Sequence, residues 1–235
     1  MDSLRADPSE GQVARLTGLG PEDLHQLALE TAGRVGRSAD YRRLYDAHLR
    51  RLEDHHPATH RHSLRVSLLA AAVVASECRT GDASDVAAAL LAGAAHDVGK
   101  RAVPAAVLDH PGKLGPAEWA QIRRHPEAGF QLLLPDDFRQ AAVVAALHHR
   151  FQPKGYGPPR SAIGPVDRRT TALAKLVWLC DFVEAMTSRR DGSSRIDDPS
   201  DASAARAVAL TIFPGMMARI DVLLGEPELD KAVGQ

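Results

Sequence analysis

Apolar residues along this chain recur at helical spacing, and nowhere do they alternate with polar residues over a convincing stretch. The pattern predicts amphipathic helices over 21–34, where Pro21 opens the first turn ahead of Leu24, Leu27 and Leu29, and over 39–54. From about residue 60 it strengthens and predicts helices near 60–79, 84–97, 116–124, 126–134, 137–149, 166–188 and 200–224, divided by Gly, Pro and Asp. Abundant alanine, the best helix former, points the same way, so the predicted fold class is all-α. Residues 1–20 lack periodicity and read as a loose tail. Two Gly- and Pro-rich stretches, 98–115 and 150–165, read as irregular, and loops of that length in a compact domain are often functional.

Composition then narrows the class. A chain of 235 residues with 44% hydrophobic and 25% charged residues suits one globular domain with extensions. Its longest apolar runs, 68–75 and 86–95, fall far short of the ~18 residues that a membrane span requires, so no membrane partner is expected. Twenty-nine basic residues against 30 acidic ones argue against coating duplex nucleic acid, and 4% aromatics argue against a base-stacking platform. The first twenty residues have neither a basic start nor an apolar stretch, which predicts a cytoplasmic address. Cys78 and Cys180 sit in apolar helical patterns without CxxC spacing and read as buried free thiols.

The histidines change the picture most. Nine of 11 fall between His55 and His149. His62 shares a face with Val66, Leu69 and Val73, which turns its imidazole inward. Asp97 ends the stripe Val86, Leu90, Ala94 beside His96, and Gly99 is expected to stop that helix. His125 follows Trp119 and Ile122 and precedes Pro126, which suits the start of a new helix. Asp181 lies on the line of Leu173 and Val177, where a carboxylate is costly to bury unless paired or metal-bound. Any one of these alone is more often a satisfied core residue. Together, five imidazoles (His62, His96, His125, His148, His149) and two carboxylates (Asp97, Asp181) make a donor set too large for one ion. Its N/O character without thiolate suits Fe, Mn, Ni, Co or Zn.

The order and spacing of His62-Ser63-Leu64-Arg65-Val66, His96-Asp97-Val98-Gly99-Lys100, His125-Pro126, His148-His149 and Asp181 with Ala185-Met186-Thr187-Ser188 resemble the HD-GYP branch of the HD-domain metal-dependent phosphohydrolases. Val103-Pro104, Val107-Leu108, His110-Pro111-Gly112-Lys113-Leu114 and Glu118 resemble the family's connecting stretch, and the likeness runs over roughly 58–190. It implies an HD-domain helical bundle over 56–195, with an N-terminal tail and helical extension over 1–55 and a C-terminal helix and tail over 196–235. It also implies one ion held by His62, His96, Asp97 and Asp181 and another by His125, His148 and His149, with Asp97 bridging. Members with three metals carry a glutamate four residues before the first histidine, where this chain has Ala58, so two divalent transition-metal ions are expected, Fe or Mn before Ni, Co or Zn.

The family's Glu after the paired histidines is Arg150 here, and its Gly-Tyr-Pro signature appears only as Gly155-Tyr156-Gly157-Pro158-Pro159. Of its basic-aromatic run after the last aspartate, Arg190 is the one clear match. Two ions about 3.5–4 Å apart can activate a shared water against a phosphodiester, with Asp97 as the bridge. Lys100 is the candidate catalytic cation for the substrate phosphate, and Tyr156 and Arg190 are the further candidate substrate contacts. The expected function is a metal-dependent phosphodiesterase acting on a cyclic dinucleotide, a short oligonucleotide or a nucleotide. Two alternatives stay open: a mixed-valence diiron oxygenase of HD type, and a non-catalytic nucleotide-signalling module. Lys100 and the partial signature favour phosphate chemistry, and seven intact ligands count against degeneration. A homodimer is compatible with the sequence.

Overall fold

The computed structural model describes residues 16, 18–77, 82–152 and 154–188, and every regular element among them is helical. Helix α1 spans Pro21–Arg34. Helix α2, Ser38–Leu44, runs through a π-type turn at Tyr45–Leu49 into α3, Arg50–His55. The two long helices of the centre are α4, Pro57–Glu77, and α11, Arg168–Ser188. Between them lie α5, Ala83–Ala95; a 3-10 turn, Val98–Ala102; and the short α6, Ala105–Leu108. Then come α7, Pro116–Ile122; α8, His125–Leu133; α9, Arg139–Leu147; a second 3-10 turn, His148–Arg150; and the short α10, Arg160–Ile163.

Helix α4 packs most extensively on α5, and α11 lies across α4, α5 and α9. The alanine richness of α5 and α9 acquires its reason here. Small side chains such as Ala89, Ala92, Ala142 and Ala145 let the helix axes approach closely. At the tightest point a Cβ on Gly93 would lie 2.6 Å from Ser67 Cα of α4. Around these contacts Leu64, Leu90, Leu147, Leu179 and Trp178 are fully buried, each contributing roughly 1.5–3 kcal/mol of hydrophobic stabilisation. Leu24 of α1, Tyr41 and Leu44 of α2 and Leu49 of the π-type turn join the same core.

Several expectations shift in detail. The helix expected over 84–97 ends at Ala95, and Asp97 has left it at φ −105°, ψ 7°. Gly99 does not stop that helix with a left-handed residue. It sits inside the 3-10 turn, where a Cβ would lie 1.9 Å from the His125 carbonyl oxygen and 2.4 Å from Gly129 N, so glycine alone lets the turn press onto α8. The stretch 98–115 is less irregular than expected, because His55 and His56 clip it to the start of α4. His55 Nε2 is 2.8 Å from the Val103 carbonyl, and His56 Nε2 is 3.0 Å from Asp109 Oδ1. His56 Nδ1 also accepts the Thr59 N–H at 3.1 Å, capping α4. Cys180 is a buried free thiol, as expected. Cys78, Arg190, the helix expected over 200–224 and all of the tail before Leu16 lie outside the described residues.

Candidate metal centre

All seven expected donors meet in one place, and helix ends deliver most of them. His62 comes from the second turn of α4, His96 follows the last residue of α5, and Asp97 heads the 3-10 turn behind it. His125 is the first residue of α8, His148 and His149 open the 3-10 turn after α9, and Asp181 lies in α11. Their ligand atoms form two groups, each within 4.8 Å of one another: His62, His96 and Asp181, and Asp97, His125, His148 and His149. Asp97 stands between them. Its Oδ1 lies 3.3 Å from His125 Nε2 and 3.9 Å from His148 Nε2, while its Oδ2 lies 3.4 Å from His96 Nε2 and 3.8 Å from His62 Nε2.

The other ring nitrogens explain why Nε2 faces inward. His96, His125 and His148 each donate Nδ1–H to the carbonyl three residues earlier, Gly93 at 2.7 Å, Ile122 at 2.7 Å and Ala145 at 2.8 Å. A carbonyl only accepts, so the proton is fixed on Nδ1 and the Nε2 lone pair is turned to the centre. His149 Nδ1 lies 3.2 Å from Gln152 Oε1. His62 donates Nδ1–H to the buried carboxylate of Glu184, which also takes the Nε–H of Arg65.

Charge follows from this geometry. Burial pulls His125 and His149 down to about 3 and His148 well below its ordinary value, so these three imidazoles are neutral at pH 7. Burial also opposes a charge on His62, but Glu184 and Asp181 outweigh it and hold its pKa up at about 9. For Asp97, burial disfavours the anion, yet the Lys100 ammonium and then His96 keep the carboxyl well below the usual range. Asp181 is likewise held low against burial, by its hydrogen bond with His62.

The chemistry of these residues fits a bound metal cation. His125 Nε2 and His148 Nε2 lie 3.3 Å apart, and with both Nδ1 atoms protonated their lone pairs face each other, which a cation relieves and a hydrogen bond cannot. His96 Nε2 and Asp97 Oδ1 are buried and have no hydrogen-bond partner among the described residues. The donor set is imidazole and carboxylate, with no thiolate. Ala58 lies exposed on the first turn of α4 and offers no donor.

The remaining expected site residues stand as follows. Lys100 turns back on Asp97, its Nζ 2.6 Å from Oδ2. Tyr156 stacks on His149, ring centroids 4.6 Å apart at 23°, with the Arg123 guanidinium 5.6 Å from its ring centroid. Arg150 folds onto its own loop and donates to the carbonyls of Gly157 and Pro158. Arg190 is outside the described residues. Glu184 and Arg65 were not foreseen. The signal was helical spacing, since Glu184 stands three residues after Asp181 and Arg65 three after His62, on the faces already read as inward.

Several known proteins are similar in sequence to part of this chain. The chain is 40% identical over 103 residues to the cyclic di-GMP phosphodiesterase PA4108 of Pseudomonas aeruginosa, covering 43% of this chain and 24% of that protein. It is 32% identical over 138 residues to the 3'3'-cGAMP-specific phosphodiesterase 3 of Vibrio cholerae, covering 57% and 28%. A cyclic di-GMP phosphodiesterase of Thermotoga maritima is 32% identical over 136 residues, covering 56% and 35%. The chain thus spans about a quarter to a third of the length of these relatives. No solved structure matches significantly. The family model described as HD domain matches residues 59–186, more than half of the chain and all seven clustered donors. With its histidines and aspartates in the order and the arrangement described above, the chain belongs to the HD domain family, in its HD-GYP-like branch.

Proposed function

We propose that this chain is a metal-dependent phosphodiesterase whose binuclear centre hydrolyses a small phosphodiester of the cyclic-dinucleotide, short-oligonucleotide or nucleotide class. The observation that carries the reading is the division of Asp97, one oxygen toward His125 and His148 and the other toward His96 and His62. In this reading His62, His96, Asp181 and Asp97 Oδ2 hold one ion, and His125, His148, His149 and Asp97 Oδ1 hold the other. When bound, two such ions supply the Lewis acidity that activates water and stabilises charge on the phosphoryl oxygens. The residues around them supply position. Three neutral imidazoles are ligands without losing a proton, whereas His62 gives one up when an ion arrives.

Lys100 donates one of its three ammonium protons to Asp97, which leaves two to face a phosphate oxygen beside the centre. Relatives named as phosphodiesterases of cyclic di-GMP and of 3'3'-cGAMP support the substrate class. The test is metal analysis of protein purified without oxygen, followed by hydrolysis assays with Mn²⁺ or Fe²⁺ on cyclic di-GMP, 3'3'-cGAMP, a dinucleotide and an aryl phosphodiester. Close to two ions per chain and cleavage of at least one diester, lost in Asp97→Asn, are expected. Two ions with no cleavage of any of them would overturn the reading.

A further inference from the structure

We infer that Glu184 is a positioning residue for one of the two metal positions, acting through His62; this rests on the binuclear reading above. Five imidazoles line the centre, and the acceptors behind them are unequal. Three have a backbone carbonyl, His149 has an amide oxygen, and His62 alone among the five has a carboxylate. An anionic acceptor binds the Nδ1 proton more strongly than a neutral one and pushes electron density toward Nε2, the atom offered to the ion.

The placement is that of a clamp. His62 and Arg65 stand three apart on α4, and Asp181 and Glu184 stand three apart on α11. Asp181 Oδ1 lies 3.0 Å from His62 Nε2 on the side of the centre, and Glu184 meets Nδ1 on the side away from it. The ring is held from both edges by one turn of a single helix. Arg65 takes the second oxygen of Glu184 and so fixes the carboxylate that fixes the imidazole. Glu184 itself is 5% exposed, so water does not substitute for it cheaply.

A residue that merely paired with Arg65 would stabilise the fold and leave both ions alone. A residue acting through His62 touches one ion and spares the other. The experiment titrates apo protein with zinc by calorimetry and follows ¹⁵N-labelled histidines by NMR. In Glu184→Gln, whose amide keeps the shape and loses the charge, one zinc should bind ~10–100-fold more weakly while the other is unchanged. His62 and His96 resonances should report the weakened ion, and those of His125, His148 and His149 the intact one. In a His62→Ala background, Glu184→Gln should have no further effect on the zinc that remains.

Wild-type protein supplies a measurement that does not depend on the variant folding. In its zinc-loaded form the His62 Nδ1 proton should be present and lie downfield of those of His96, His125 and His148. Equal weakening of both ions, unchanged affinities in a folded Glu184→Gln, or a zinc-loaded His62 without a proton on Nδ1 would each overturn the inference. Wild-type protein that takes up fewer than two zinc ions would overturn the binuclear reading and this inference with it.

Discussion

The Lys100 ammonium stands 2.6 Å from Asp97 Oδ2, a carboxylate that is 1% exposed. The 3-10 turn at Val98–Ala102 brings the lysine back over the aspartate three residues before it. Without bound ions this cation offsets the cost of a buried anion. Lys100→Ala should therefore destabilise the metal-free protein by roughly 3–5 kcal/mol, since it leaves a buried charge without its partner. Loading with Mn²⁺ should narrow the deficit, because divalent charge takes over the compensation. Urea unfolding with and without chelator measures both values, and equal losses in the two forms would show that the ions do not reach Asp97. With its ions restored, the variant should still hydrolyse diesters more slowly than wild type.

Division of the two Asp97 oxygens makes a second prediction about ion count. Asp97→Asn removes the anion shared by both groups and should leave neither position well occupied, with activity reduced by orders of magnitude and helical content little changed. Asp181→Asn removes a donor from the His62 and His96 group alone, so one ion should remain. Metal analysis after dialysis distinguishes the two. Loss of a single ion in both variants would mean that Asp97 does not bridge.

The pH dependence of the metal-free protein follows from opposed shifts. His125 and His149 are held at about 3, below the ordinary 6.5, so the unfolded chain takes up their protons first. Their contribution is full above pH 6.5 and is lost as pH falls toward 3. His62 is raised to about 9, so its contribution is full below 6.5 and is lost as pH rises through 9. Stability should peak near pH 6.5, with slopes of at most ~1.4 kcal/mol per pH unit for each group and a steeper acid limb. Thermal unfolding in chelator across pH 4–10 tests this, and a plateau from 5 to 9 would contradict it.

Gly99 tests the seat of the centre. Any Cβ there meets backbone atoms of His125 and Gly129, which no rotamer change relieves. Gly99→Ala should cost about 1–3 kcal/mol or more and push the turn carrying Asp97 and Lys100 away from His125. Weakened zinc binding together with the lowered stability would confirm that this contact sets the spacing of the donors. Unchanged zinc affinity would refute it.

Specificity should be weaker than chemistry. Arg150 is spent on the carbonyls of Gly157 and Pro158, and Tyr156 is stacked on His149 beneath Arg123, so these groups serve the loop and the centre. Fewer groups are left to grip a large cyclic ligand, and contacts remote from the scissile bond are what position it. An aryl phosphodiester should be hydrolysed with Mn²⁺ or Fe²⁺, and cyclic di-GMP slowly or not at all. A kcat/KM for cyclic di-GMP well above that of the aryl diester, lost in Tyr156→Ala or Arg190→Ala, would reverse this prediction.

Hydrophobic periodicity by itself determined that the chain is helical, and which face of each helix turns inward. His62 and Asp181 were legible for that reason, because a polar residue on an apolar stripe is conspicuous in one dimension. Asp97 ends such a stripe with His96 beside it, and the order and spacing of these residues with His125, His148 and His149 then matched the family's motifs. Other features could not be read along the chain. Whether Asp97 stays in its helix depends on a turn pressed against α8, and that depends on the missing side chain of Gly99. How the seven donors divide into two groups, and that Lys100 closes on Asp97, are distances between or within elements that packing alone sets. Glu184 carried the right helical spacing, but its partner His62 lies 122 residues away. Only the packing of α11 on α4 makes an ordinary helical glutamate the acceptor behind the His62 imidazole.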